Sequence, residues 1–254
     1  MDASVYEQFE DRRLHAWEKL DRALPDGIKR GRFLDIGCGI GNGLVAALQH
    51  GFQSAVGIDR DFGEFVWWDA GYFDAICRRY DVEAGRAVLV EADLFETKFA
   101  AQAFDCVMLL DSIEHVPEPA AFITEAAGYV APGGVLLLDT SPFYYSRQGH
   151  HLFSYFDPET EPWPHLRHDF EEMIQARNVD DWSMQRFHEL NRTTHKHVRD
   201  AITRTGLEIV TEQQGIAGDE TRELFEHHRQ AMNLAGINEE WLFEEWVLIV
   251  ATRA

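Results

Sequence analysis

The sequence contains no apolar run near the roughly 18 residues that a membrane-spanning helix needs. Its start, Met-Asp-Ala-Ser-Val-Tyr-Glu, lacks the basic stretch and apolar segment of an export signal. Cysteine is scarce: Cys38, Cys77 and Cys106 are odd in number and form no C-x-x-C pair. That excludes a disulfide framework and a cysteine-built zinc site, and the expectation is reduced thiols in a cytoplasmic protein. Positive charge is the other shortage, with 23 Lys+Arg against 44 Asp+Glu and a net charge of −21. Phosphate backbones and anionic lipid surfaces are recognised by clustered Lys and Arg, so neither nucleic acid nor a membrane is an expected partner. What is present is 45% hydrophobic and 12% aromatic residues in a chain of 254, enough for a packed core. The length suits one large α/β domain, 1–254, carrying insertions.

Apolar positions Val5, Phe9, Leu14, Trp17, Leu20 and Leu24 follow helical spacing and predict an N-terminal helical cap over 1–27, stopped by Pro25-Asp-Gly27. Strand and helix patterns then alternate. Strands are predicted at Phe33–Ile36, Ala55–Ile58, Ala87–Glu91, Phe104–Leu110, Val135–Asp139, Leu207–Glu212 and Trp246–Ala251. Helices are predicted around Gly43–Gln49, Glu64–Tyr80, Ala120–Tyr129 and Thr194–Thr205. The near-continuous apolar strands are those of a parallel sheet buried on both faces, and the alternation points to a doubly wound fold. Two stretches interrupt it: 141–191, rich in aromatics, proline and histidine, and 215–244, with a helix predicted over Glu220–Leu234. The first leaves the carboxyl end of a strand, where open α/β sheets bind ligands, and is expected to form a substrate lid.

The most informative segment is Phe33-Leu-Asp-Ile-Gly-Cys-Gly-Ile-Gly-Asn-Gly43, an apolar strand running into a glycine-dense turn and then a helix. Asn42 stands where the dinucleotide fingerprint G-x-G-x-x-G requires glycine, so a nicotinamide-dependent oxidoreductase is disfavoured. The next strand ends in Asp59, placed to accept hydrogen bonds from ribose hydroxyls. Leu34 to Gly41, with Asp35, Gly37, Cys38, Gly39 and Gly41, resembles the first motif of class I S-adenosylmethionine-dependent methyltransferases. The group is similar to small-molecule O-methyltransferases. Val56-Gly-Ile-Asp59, Glu91-Ala-Asp93-Leu94, Phe104 to Val116 and Val130 to Leu137 resemble the later motifs, in order. The resemblance implies a Rossmann-like seven-stranded sheet with the last strand antiparallel. It also implies S-adenosylmethionine as cofactor, held by those motif residues together with Arg60, Leu110 and Asp111.

Transfer to a hydroxyl calls for a base near the acceptor. Seven of the twelve histidines fall between His150 and His197. His150 and His151 follow the fifth strand closely and are the candidate bases, with Tyr145 beside them. If that segment is extended, only one of the two can face the methyl group. The rival use of the cluster is metal binding, through His165-x-x-His168 and carboxylates such as Asp111, Asp139, Asp157 and Asp169. An oxygen-rich site would suit Mg²⁺, although no spacing identifies one. Phe143, Tyr144, Tyr145, Phe153, Tyr155, Phe156 and Trp163 either wall a pocket or form the insertion's own core. Trp67, Trp68, Tyr72 and Phe73 are assigned to core or interface, which leaves a homodimer open. The sequence reading is methyl transfer to a hydroxyl of a small molecule such as a sugar or glycoside. Carbon or nitrogen methylation of a metabolite, and a non-catalytic S-adenosylmethionine-binding protein, are the alternatives.

Overall fold

The computed structural model describes residues 3–62 and 71–254. The chain begins with α1 (Ala3–Ala23), whose Phe9, Ala16, Leu20 and Ala23 are buried at helical spacing. The strands are β1 (Arg32–Ile36), β2 (Ser54–Asp59), β3 (Ala87–Glu91), β4 (Phe104–Leu110), β5 (Val130–Thr140), β6 (Glu208–Ile216) and β7 (Glu244–Thr252). They form one sheet in the order β3-β2-β1-β4-β5-β7-β6. β1 to β5 pair in parallel, and β7 runs antiparallel to both β5 and β6. The seven-stranded sheet with an antiparallel last strand agrees with the sequence reading.

Consecutive residues of the central strands face opposite ways, so two cores arise from one run of sequence. Phe33, Cys106, Met108 and Leu137 pack under α1, α2 (Asn42–Gln49) and α3 (Tyr72–Arg79). Their neighbours Leu34, Val107, Leu109 and Leu138 pack on α4 (Pro119–Gly128) and α7 (His195–Arg204). The predicted helix Glu64–Tyr80 is thus present over Tyr72–Arg79, and its earlier part, with Trp67 and Trp68, lies outside the described residues. Tyr72 and Phe73 are core.

The two insertions contain structure the periodicity did not reveal. The first holds a 3₁₀ turn at Pro164–Leu166, α5 (Phe170–Arg177) and α6 (Asp181–Glu189). The second holds α8 (Asp219–His228), shorter than predicted, followed by a 3₁₀ turn at Arg229–Ala231. β6 reaches Ile216, past the start expected for this insertion. Tyr144, Trp163 and Leu166 from the first insertion pack with Phe225, Met232 and Phe243 from the second. Leu152, Phe156, Phe170 and Ile174 make a further small core. The aromatic set therefore serves mainly as the insertions' own packing.

Candidate active site

β1 ends at Ile36, and the chain turns through the glycines into α2. The N–H groups of Gly37 and Cys38 both donate to the carbonyl of Ile58, at 2.8 and 3.1 Å, tying the turn to the end of β2. Gly37 has φ 77°, and a Cβ there would lie 2.5 Å from that of Ser112. Conformation and close approach both demand glycine. Asp59 accepts the Gly39 N–H through Oδ2 at 2.8 Å, so turn and carboxylate form one unit.

Asp35 is different. It is buried behind the turn, where a Cβ on Gly43 would lie 2.2 Å from its Oδ2. Burial, reinforced by the charge of Asp59, pushes its carboxyl up to about 8. Cys38 is also buried, its thiol raised well above the ordinary value by desolvation, which leaves it an inert packing group.

Beside the turn opens a cavity of about 230 Å³. Its walls are Gly37 and Gly39 of the turn, Ile58, Asp59 and Arg60 at the end of β2, and Asp93, Leu94 and Phe95 after β3. Asp111, Ser112 and His115 follow β4, Arg12 comes from α1 and Arg186 from α6. Of the sequence-predicted cofactor residues, Gly37, Gly39, Asp59, Arg60, Asp93, Leu94 and Asp111 line this space, while Asp35, Cys38, Gly41 and Leu110 stand outside its wall. Asp93 Oδ1 accepts the Phe95 N–H at 2.7 Å, which shapes the turn carrying Leu94. Arg12 and Arg186 went unpredicted because no local motif marks them. They reach the cavity from helices remote in sequence.

The end of α6 is tied like a strap to two of the loops that wall the cavity, and Arg186 reaches its wall. Glu189 pairs with Arg60 at 2.9 Å on one side. On the other, Asn191 donates its side-chain N–H groups to the carbonyls of Ile113 and Val116 (2.7 and 2.8 Å), and its backbone N–H to Glu114 (2.9 Å).

At the carboxyl ends of β4 and β5, α1 covers a group of charges. His15 Nε2 lies 3.3 Å from Asp111 Oδ2, and Lys19 Nζ lies 2.7 Å from Asp139 Oδ2. The bond to Asp111 raises the His15 pKa. Glu114 is buried and accepts the Thr140 hydroxyl at 2.8 Å; desolvation, then the Asp111 charge, pushes it up to about 8. One donor atom each from His15, Asp111 and Asp139 lie within 4.8 Å of one another, the one such metal-capable group among the described residues. The suggested His165–His168 pair is not brought together. His165 is buried and donates from Nε2 to the Tyr144 carbonyl at 2.7 Å, whereas His168 is exposed beyond the 3₁₀ turn.

The candidate bases differ from each other. His150 is buried against Phe153, Phe156 and His165, and its Nδ1 accepts the Leu152 N–H at 2.9 Å. That nitrogen is engaged, and burial drives the ring down to about 2. His151 is half-buried with φ 54°, so the segment is a turn rather than extended. Its ring meets that of His115 edge-on, centroids 5.1 Å apart. His115 lines the cavity, its Nδ1 is buried without a partner, and desolvation lowers it to about 3. Tyr145 packs on Trp241 and Tyr144 away from the cavity wall.

Comparison with known proteins adds to this geometry. The profile of the family described as Methyltransferase domain matches residues 6–212. The chain is 32% identical over 167 residues to a ubiquinone biosynthesis O-methyltransferase of Pseudomonas aeruginosa, covering 63% of this chain and 65% of that one. A protein of the same description from Stutzerimonas stutzeri is 32% identical over 162 residues, covering 60% and 62%. The chain thus spans slightly less than two thirds of the length of these relatives. Among solved structures, geranyl diphosphate C-methyltransferase from Streptomyces coelicolor superposes with a TM-score of 0.57 at 15% identity, covering 95% of this chain and 77% of that one. An S-adenosylmethionine-dependent methyltransferase from Mesorhizobium loti gives 0.55 at 18% identity, covering 93% and 97%. With the family match running through most of the chain and the sheet order agreeing, the chain belongs to the class I S-adenosylmethionine-dependent methyltransferases.

Proposed function

We propose that the chain transfers the methyl group of S-adenosylmethionine to a hydroxyl of a small molecule. The observation that carries this reading is the single unit of glycine turn and Asp59 at the edge of a cavity that also reaches the loop after β4. S-adenosylmethionine, when bound, supplies a methyl group on a positively charged sulfur that needs only in-line attack by the acceptor oxygen. Asp59 would take the ribose hydroxyls, and Asp93, Leu94 and Phe95 would flank the adenine. Asp111 would lie towards the methionine end, and Arg12 offers a guanidinium to its carboxylate. Alignment and exclusion of water supply much of the rate in such a displacement.

The hydroxyl reading rests on the two O-methyltransferase relatives and on the histidines near the cavity. Between the two bases suggested by sequence, the engaged Nδ1 of His150 favours His151. His115 is the only one of the three on the cavity wall, and although burial lowers it to about 3 and makes it a weak base, its unpartnered Nδ1 can take the hydroxyl proton once bonding to carbon has made that proton strongly acidic.

The test is an acceptor screen with methyl-labelled S-adenosylmethionine. Labelled methyl ether is the expected product, and His115→Ala should lower kcat more than KM, with His151→Ala having a smaller effect. A melting temperature raised by NADH and not by S-adenosylmethionine would sink the reading. Tight S-adenosylmethionine binding with no turnover on any acceptor would leave a binding protein instead.

A further inference from the structure

Arg60 and Arg186 reach the same carboxylate from different parts of the chain. Arg60 follows the end of β2 and Arg186 projects from α6, yet both line the cavity. Glu189 stands behind them, outside the wall. Its Oε2 lies 2.9 Å from Arg60 Nη2 and 3.5 Å from Arg186 Nη1, and its Oε1 accepts the Gln185 side-chain N–H at 3.1 Å. Two guanidinium groups and one carboxylate leave a positive charge on this part of the wall, in a protein of net charge −21. The carboxylates of the wall are engaged elsewhere: Asp59 with the Gly39 N–H, Asp93 with the Phe95 N–H and Asp111 with His15. Both guanidinium groups are also near His115, where their charges add to burial in holding the ring at about 3.

We propose that Arg60 and Arg186 form a carboxylate site for the acceptor, which makes the methylated small molecule a hydroxy acid, and that Glu189 occupies this site until the acceptor binds. The proposal rests on the methyl transfer described above, in which His115 takes the hydroxyl proton beside the same two guanidinium groups. Glu189 shows the chemistry that the pair accepts, since a planar carboxylate matches the fork of a guanidinium and gains charge-assisted hydrogen bonds from it. Its own hold is loose. The Arg186 contact is long for an ion pair and all three side chains are partly exposed, so exchanging one carboxylate for another costs little. A carboxylate arriving from the cavity side meets both groups with less water around it, where their attraction is stronger. It also takes over the tie between Arg60 and α6, because Arg186 belongs to α6. Anchored there, the acceptor presents its hydroxyl in a fixed position relative to His115.

The experiment is a calorimetric titration of the protein saturated with S-adenosylhomocysteine, with benzoate as the probe and benzamide as its uncharged counterpart. Benzoate should bind at one saturable site and benzamide should not. Arg186→Gln should weaken benzoate at least about tenfold, and Glu189→Gln, which removes the occupant, should tighten it. α6 buries no residue fully, so both replacements leave folding intact. Affinity for S-adenosylhomocysteine should be little changed in Arg186→Gln. Absence of saturable benzoate binding overturns the proposal, as does equal binding of benzamide or normal benzoate binding by Arg186→Gln. A parallel fall in S-adenosylhomocysteine affinity also overturns it, because Arg186 would then serve the cofactor. The hydroxyl reading is judged by a different signal, the product formed from a panel of hydroxy acids. A labelled methyl ester instead of an ether, or no turnover, with benzoate binding intact, would count against that reading alone.

Discussion

The nucleoside side of the sheet and the insertions beyond β5 are held together by different kinds of bond. On the first side the ties are hydrogen bonds donated by backbone N–H groups, from Gly37 and Cys38 to the Ile58 carbonyl, from Gly39 to the Asp59 carboxylate, and from Ala92 to the Asp59 carbonyl. In the insertions the ties are packed aromatic side chains, Trp163 against Phe225 and Phe243 across the two insertions, and Tyr144 against His165 within the first. The first arrangement is specified by a few residues in a fixed order. The second depends on two insertions meeting, and it holds two buried histidines, His150 and His165.

The largest expected effect falls on the insertions. Trp163 is fully buried and donates its indole N–H to the Tyr145 carbonyl. Trp163→Ala should cost about 3–5 kcal/mol of stability, with S-adenosylmethionine affinity little changed. Denaturation monitored by ligand binding and by fluorescence checks this, and equal loss of both signals would break the distinction between the two regions. Next comes Asp59→Ala, which removes a charged hydrogen-bond acceptor from the nucleoside side. It should weaken S-adenosylmethionine binding by about 10–100-fold by calorimetry, without loosening the insertion.

The pH dependence should be opposite in sign for the buried histidines and the buried carboxyls. His150, His165 and His115 are driven by burial to about 2, 3 and 3. The unfolded chain binds more protons on them, so their contribution is full above about pH 6.5 and is lost as pH falls towards 3. Asp35 and Glu114 are raised to about 8. The folded chain holds their protons longer, so their contribution is full below about pH 4 and is lost as pH rises through 8. Asp35→Asn should flatten the alkaline limb of melting temperature against pH and leave the acid limb alone; a variant that altered only the acid limb would contradict this assignment. The smallest effect belongs to Glu189→Gln. Arg60 and Glu189 are partly exposed, and breaking the pair should change stability by no more than about 1 kcal/mol, measured by denaturant unfolding.

The same contrast explains what could be read from the sequence. The central strands, the glycine turn and the carboxylates at strand ends were legible because each is set by neighbours along the chain. α5 and α6 were not, since Phe170–Arg177 and Asp181–Glu189 are each too short to establish a helical period, and α6 buries no residue fully. His15 on its own is one histidine on an amphipathic helix, and only folding brings it to Asp111. His115 lay in a loop already identified, but nothing local showed that its ring would face the cavity while His150 turned into a core. Pairs of histidines adjacent in sequence are distinguished by tertiary packing, not by spacing.

The α6 strap is anchored unequally, and that inequality has a kinetic meaning. Three hydrogen bonds hold Asn191 at one side, against a single solvent-accessible ion pair at the other. The Arg60 end should therefore release first and Asn191 act as the pivot, and under the proposed methyl transfer this would gate departure of S-adenosylhomocysteine after the chemical step. Rapid-quench measurements should show a burst of the first turnover followed by a slower steady rate, and Glu189→Gln should shrink the difference between them. A linear time course from the first turnover would mean that the span opens faster than the methyl group moves.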